Sequence, residues 1–246
     1  MIRRGFFSAR FSLIFFVIKG AFFVCPPMKM QTAFLENNFL LSAIPVSTIT
    51  GIPGDTRVKG RAMKIRYPEI GICGLSCRLC PHYHTEGASR CRGCKTESRM
   101  GAGCPFITCA LKRKGIEFCG DCEENETCEK WTKHKEAAKK ADSFTCYQKL
   151  EDNIACIRTN GADEFEEMQK KRELLLQEML REFNEGRSKS YYCIAATVLE
   201  MGELEEALTK AHKGSRGLGM RERSKVLHFI LDEIAKQRNY YLKLRT

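Results

Sequence analysis

The sequence has no apolar run long enough to cross a bilayer, which takes about 20 residues. The run from Phe11 to Ile18 has the length of a signal-peptide core and is broken by Lys19. No small-x-small cleavage site follows it, and Val24 precedes Cys25 where a lipoprotein site has a small residue. We therefore expect neither a membrane span nor a processed export signal in this stretch.

Residues 31–62 also lack the periodic apolar spacing of a helix or strand, being a mixture of Ser, Thr, Pro and Gly. We treat residues 1–62 as a doubtful leader, untranslated or disordered, and predict that the protein begins at Met63. On that basis we expect a cytoplasmic chain without membrane contact.

Clustered charge of one sign is scarce as well. The formal charge is +11, but residues 1–62 hold eight Lys/Arg and two Asp/Glu, which leaves 33 basic and 28 acidic residues beyond them. A small excess spread over alternating charges is typical of a solvated surface. The charge pattern therefore argues against nucleic-acid binding, which needs a basic patch on one face.

The segment that follows is poor in apolar residues, broken by glycines and rich in cysteine. It contains three C-x2-C pairs, Cys77/Cys80, Cys91/Cys94 and Cys119/Cys122. The candidate metal ligands are Cys73, Cys77, Cys80, Cys91, Cys94, Cys104, Cys109, Cys119, Cys122 and Cys128. Two such pairs can complete a four-thiolate site, and bound metal can replace a missing hydrophobic core.

A disulfide scaffold is the competing interpretation, but it requires an oxidising compartment and usually a small secreted chain. A long, charged helical half follows the cysteine segment, and repeated C-x2-C pairs are not typical of disulfide frameworks. We therefore predict bound metal, and ten ligand thiols in turn favour a reducing cytoplasm.

Spacing alone pairs Cys77 and Cys80 with Cys91 and Cys94, and it pairs Cys104 and Cys109 with Cys119 and Cys122. This partition predicts about two Zn²⁺ ions per chain. Cys73 and Cys128 are then alternative ligands or structural thiols. His82 and His84 are near enough in sequence to replace a thiolate, although exposed loop positions suit them better.

Three other thiol chemistries need consideration. Cys73-x3-Cys77-x2-Cys80 has the spacing of a radical-SAM motif, but no βα barrel follows it. No pair has the strand-then-helix setting of a redox dithiol. An iron–sulfur cluster stays open as the alternative to zinc, because Cys80-Pro81 is similar to ferredoxin ligation. The separate residues Cys146, Cys156 and Cys193 are predicted to be core residues.

The motifs Cys73-Gly-Leu-x-Cys77-x2-Cys80-Pro81-x-Tyr83, Cys91-x-Gly-Cys94, Cys104-Pro-Phe-Ile-x-Cys109 and Cys119-x2-Cys122 resemble an uncharacterised prokaryotic family. This family is domain of unknown function 3795 (DUF3795), and the resemblance runs from about Ile70 to Lys135. It implies a cysteine-rich, zinc-binding segment with this ligand set and no assigned activity.

Helical periodicity appears at Ile107 to Lys114, at Cys128 to Asp142 and in four stretches after Asn160. The first has caps at Asn160 to Asp163 and stops near Gly186, and the others are Tyr191 to Met201 ended by Gly202, Glu203 to His212, and Arg221 to Arg245. We therefore predict a small metal-stabilised, cysteine-rich domain of irregular, short α/β elements at residues 63–142, followed by an all-α helical bundle at residues 143–246.

These observations favour a non-catalytic role. We expect a structural or protein-interaction module that binds metal through its cysteines and a protein partner through its helices. An iron–sulfur electron-transfer protein is the alternative.

Overall fold

A computed structural model describes residues 64–96 and 104–245. The predicted leader and the predicted start at Met63 lie outside the described residues. The described part is mostly helical, as the sequence predicts, and the residues 64–96 and 104–245 belong to one compact unit. Within these ranges there is no strand, and the predicted short α/β elements reduce to helical turns and one isolated bridge between Ile70 and Ser76.

Seven α-helices follow one another in the described chain. They are α1 (Pro105–Ile107), α2 (Glu129–Lys140), α3 (Leu150–Asn160), α4 (Ala162–Glu182), α5 (Lys189–Val198), α6 (Met201–Gly214) and α7 (Met220–Gln237). A π-helical segment, Thr108–Lys114, continues α1, and 3₁₀ turns occupy Cys77–Leu79 and Cys119–Asp121. None of the helices in this part of the chain combines the length and the hydropathy needed to cross a membrane.

Helices α4 to α7 enclose the larger core. Their fully buried residues include Leu176, Tyr192, Leu204 and Leu231, which lie on the apolar faces that the sequence predicts. Leu79 joins this core from the first cysteine turn. That turn therefore packs on the helices, chiefly on α4 and α5.

A smaller core lies under the cysteine segment. Trp131 and Ala138 of α2 meet Leu150 and Ile154 of α3 there. The cysteines Cys73, Cys119 and Cys128 pack against its edge. Helix α3 thus supports the second cysteine turn, although the sequence analysis assigns no helix to residues 150–160.

The predicted ends of the helices are partly wrong. Helix α5 begins after Ser188, not after Ser190, and it ends at Val198, before the predicted terminator Gly202. Gly202 lies inside α6, whose start is fixed by a capping box in which the Glu200 amide donates to Glu203 Oε2 at 2.9 Å. By contrast, Gly115 ends the π-helical segment as predicted, in the left-handed conformation (φ 64°).

Candidate metal centre

Two of the C-x2-C pairs adopt the same tight turn. The Cys80 amide donates to the Cys77 carbonyl at 3.0 Å, and the Cys122 amide donates to the Cys119 carbonyl at 3.2 Å. In each pair the first cysteine opens a 3₁₀ turn and the second follows it with extended backbone. The two pairs are therefore two copies of one local structure, as their shared spacing indicates.

The first thiol group contains Cys77, Cys80, Cys91 and Cys94. Cys77 and Cys94 share a thiol hydrogen bond, which with burial and the charge of Cys94 raises the pKa of Cys77. Cys80 is close enough to Cys91 and Cys94 for their charges to add to the effect of burial in raising its pKa. The structure thus brings together the four cysteines that spacing assigns to one site.

The second thiol group lines a cavity of about 50 Å³ beside Trp131. Its members are Cys109, Cys119, Cys122 and Cys128. Burial raises the pKa of Cys119 to about 12, and the charges of Cys73, Cys128, Cys109 and Cys122 act in the same direction. Cys119 is therefore the thiol of this group that is hardest to ionise without a cation nearby.

The cavity is lined by Cys128 and not by Cys104, whereas spacing pairs Cys104 with Cys109. Cys128 precedes α2, and the packing of α2 on α3 returns it to the neighbourhood of Cys119. Cys104 precedes α1 and packs instead near Ile107. The packing of α2 on α3 determines which cysteine lies near Cys119. The spacing of the cysteines in the sequence therefore does not predict it.

Cys73 lies between the two groups. Burial raises its pKa to about 11, and the charges of Cys94 and Cys104 add to that effect. Its interactions with Cys94 of the first group and Cys119 of the second connect all ten cysteines into one thiol-rich region.

Two lysines lie beside the thiols, and no sequence motif points to either. Lys114 Nζ is 3.2 Å from Cys122 Sγ and 2.9 Å from Glu124 Oε2. Lys95 Nζ is buried, donates to Glu117 Oε2 at 2.9 Å, and lies within range of the charge of Cys77. A cation near a thiol favours its thiolate form, which is the form that binds metal.

The two histidines near the motif make their contacts elsewhere. The His84 ring bonds to the Arg78 carbonyl, and His82 packs edge-on against Phe144. Within residues 64–96 and 104–245, no three His, Cys, Asp or Glu side chains form a group that could hold a metal ion as they stand. The donor types and their grouping fit a thiolate-bound metal, whereas the described side-chain positions do not form a closed site.

The three separate cysteines behave as predicted. Cys146, Cys156 and Cys193 are buried, at 2%, 8% and 1% exposure. Burial raises the pKa of Cys146 and of Cys193, so these thiols are poor nucleophiles.

Neither a curated protein nor a solved structure matches the chain. A family model does match, over a segment that holds all ten candidate ligands. Residues 69–133 match the family described as protein of unknown function (DUF3795), which confirms the resemblance that the cysteine motifs indicate.

Proposed function

We propose that the ten cysteines from Cys73 to Cys128 bind metal ions, zinc in the first place, and that the chain acts as a structural or protein-interaction module. The observation that carries this proposal is the gathering of these thiols into two neighbouring groups. Thiolates select Zn²⁺ and iron–sulfur clusters, and two C-x2-C pairs per ion are the usual arrangement for structural zinc.

The first group supplies four ligands, Cys77, Cys80, Cys91 and Cys94. The second supplies Cys109, Cys119, Cys122 and Cys128, with Cys73 and Cys104 adjacent. Bound Zn²⁺ would cross-link each set. The side chains would have to converge further than they do in the described structure, so we expect binding to be coupled to local ordering.

The composition of the cysteine segment supports a structural role for the metal. It has one small apolar cluster of the buried residues Ile72, Ile107 and Ala110, besides the buried side chains of Ile70 and Phe118. Such a cluster contributes only a few kcal/mol, at about 1.5–3 kcal/mol for each large side chain. Metal cross-links would stabilise the turns that this cluster cannot hold alone.

The module is also proposed to contact a protein partner through its helices. Helices α4 to α7 share a well-buried core, which gives the cysteine segment a rigid support. This helical framework supports the proposed contact with a protein partner. The proposal does not depend on a catalytic arrangement at the thiols.

Elemental analysis of the purified chain tests metal binding, and we expect about two zinc per chain. Replacing Cys77 and Cys94 by Ser should remove about one zinc, because both residues belong to the first group. Cys156→Ala is the matched control, since Cys156 is a buried cysteine of α3 outside both groups. A folded wild-type chain without metal would contradict the proposal.

Two spectra complete this test. Iron–sulfur ligation would colour the protein through thiolate-to-iron charge transfer in the visible range, whereas zinc would leave it colourless. The sole tryptophan, Trp131, borders the cavity of the second group, so its fluorescence should change during a zinc titration. Unchanged fluorescence in a chain that gains zinc would remove the second group from the ligand set.

A further inference from the structure

A second candidate site lies in the helical half, between the start of α5 and the first turns of α7. It is a cleft of about 890 Å³, within the usual size range of small-molecule sites. Its lining combines cations, a buried serine, a histidine and an exposed aromatic ring. None of its residues belongs to the cysteine segment.

A hydrogen-bonded carboxylate forms part of the wall of this cleft. Glu185 Oε2 accepts a hydrogen bond from Ser188 Oγ at 2.7 Å and another from Ser224 Oγ at 2.7 Å. Both serines are buried, at 2% and 4% exposure. Burial opposes ionisation of Glu185, but the hydrogen bonds from the two serines outweigh it and lower the pKa of this carboxyl. Oε2 of Glu185 therefore already accepts two hydrogen bonds from within the protein.

The same hydrogen bonds assign the tautomer of His228. Ser188 gives its proton to Glu185, so the contact of 2.7 Å between His228 Nε2 and Ser188 Oγ must be donated by the ring. The unprotonated nitrogen of the neutral ring is then Nδ1, which has no hydrogen-bond partner among the described residues. Tyr191 stacks on the ring at 3.9 Å and holds its plane. His228 thus lines the cleft with a ring that is held in place.

This arrangement excludes a serine nucleophile. A catalytic serine needs a histidine that accepts its proton, and here the histidine donates to Ser188. Ser188 is also only 2% exposed. The chemistry of the cleft is therefore recognition rather than acyl transfer.

Three positive and two negative side chains line the cleft, so its net charge is positive. Arg187, Arg221 and Lys225 line it, all three are exposed, and none has an ion-pair partner within the described residues. Its two carboxylates are engaged, Glu185 by the serines and Asp232 by the Tyr191 hydroxyl at 2.7 Å. Helix α7 also begins here, with Glu222 in its first turn offsetting part of the positive end of its dipole. An anionic group is the complementary ligand.

The cleft also has an apolar side. Phe229 is 70% exposed and Met220 is 41% exposed, so the lining presents apolar surface beside its charged groups. An exposed aromatic face can stack on a planar ring.

We propose that this cleft binds a small organic phosphate that carries an aromatic ring, the chemistry of a mononucleotide. Arg187, Arg221 and Lys225 contact the phosphate, Phe229 stacks on the ring, and His228 Nδ1 accepts a hydrogen bond from the ligand. The metal sites take no part in this binding.

Calorimetric titration of the full metal-loaded chain with AMP, adenosine and inorganic phosphate tests the proposal. We expect AMP to bind with a Kd below about 1 mM and at least about tenfold more tightly than either fragment. Lys225→Ala should weaken AMP binding about fivefold through loss of an exposed ion pair. Phe229→Ala should weaken AMP binding and leave phosphate binding unchanged.

The matched control is Lys236→Ala, because Lys236 is an exposed cation on the same helix and outside the cleft. Lys225, Lys236 and Phe229 are exposed, so these variants should keep the wild-type fold and metal content, which circular dichroism and elemental analysis check. Absence of AMP binding, adenosine binding as tight as AMP binding, or equal losses in Lys225→Ala and Lys236→Ala would each overturn the proposal.

Discussion

Gly93 controls how closely the chain approaches the first thiol group. Its φ of 107° lies in the region that favours glycine. A Cβ atom at this position would lie 2.8 Å from the Pro68 carbonyl oxygen and 3.7 Å from Cys77 Sγ. Backbone conformation and lack of space therefore both require glycine beside Cys94.

Replacing Gly93 by Ala should destabilise the fold by about 3 kcal/mol, as the sum of backbone strain and a backbone clash. It should also lower the zinc content, because Cys94 is displaced. Gly87→Ala is the control, since Gly87 has a similar φ of 78° with no atom within 4 Å of its Cβ position. Urea unfolding measures both variants, and equal losses would show that the contact at Pro68 has no effect.

The cysteines show what a sequence can predict at this scale. The first group follows from spacing because its four cysteines belong to two C-x2-C pairs that lie close together in the sequence. The position of Cys128 in the second group does not follow from spacing, because it depends on the packing of α2 on α3. Lys95 and Lys114 also come close to the thiols only when the chain is folded. The sequence around each lysine does not predict these contacts.

Among the elements, α3 connects the cysteine turns to the helices. Ile154 approaches Gly74 and Gly120, each of which follows a candidate ligand. Asn153 Nδ2 donates to the Gly74 carbonyl at 3.1 Å. The apolar spacing of Leu150, Ile154 and Ile157 fits a helix. The run covers only three turns, which is too short for the sequence alone to predict a helix there.

Ile154→Ala should lower the free energy of unfolding by about 3 kcal/mol, because a buried side chain leaves a cavity. It should also weaken zinc binding about tenfold, since the backbone after Cys73 and after Cys119 loses the same support. Leu231→Ala is the matched comparison, because Leu231 is buried in the α4–α7 core. We expect a similar loss of stability there without a change in zinc affinity, as measured by competition with a chelating dye. A similar zinc affinity in both variants would contradict the role assigned to α3.

The long helices were predictable because each has a full apolar face. Leu204, Ala207, Leu208 and Ala211 of α6 are buried as the pattern requires. Their ends were less predictable, since Glu200 is an uncommon capping residue and Gly202 is usually a terminator. The capping box at Glu200 therefore allows α6 to include Gly202, although a glycine usually ends a helix.

For the whole molecule, Arg78 is a charged connection between the cysteine segment and the helical core that is less exposed than the Arg66–Asp163 pair. Its guanidinium is 2.8 Å from Glu173 and 3.6 Å from Glu166, both on α4, and 3.7 Å from Glu69. The neighbouring Leu79 is buried in the α4–α7 core. The sequence predicts two successive domains, and these contacts indicate that their stabilities are coupled.

Arg78→Ala should therefore do more than remove one ion pair. It leaves three carboxylates close together with little solvent, because the Arg78 side chain is only 16% exposed, so we expect a loss of about 2–3 kcal/mol. Arg238→Ala is the control, since Arg238 pairs with Glu203 at 2.7 Å but is 55% exposed, and its removal should cost about 0.5 kcal/mol.

Thermal unfolding followed by both Trp131 fluorescence and circular dichroism separates the two parts of the molecule. Trp131 reports on the cysteine side, and the far-ultraviolet signal reports mainly on the helices. In the wild-type chain the two transitions should coincide, because Arg78 and Leu79 transmit unfolding from one core to the other. In Arg78→Ala the fluorescence transition should move to lower temperature than the helical one. Transitions that stay coincident in this variant would mean that the apolar contact of Leu79 suffices to couple the two cores.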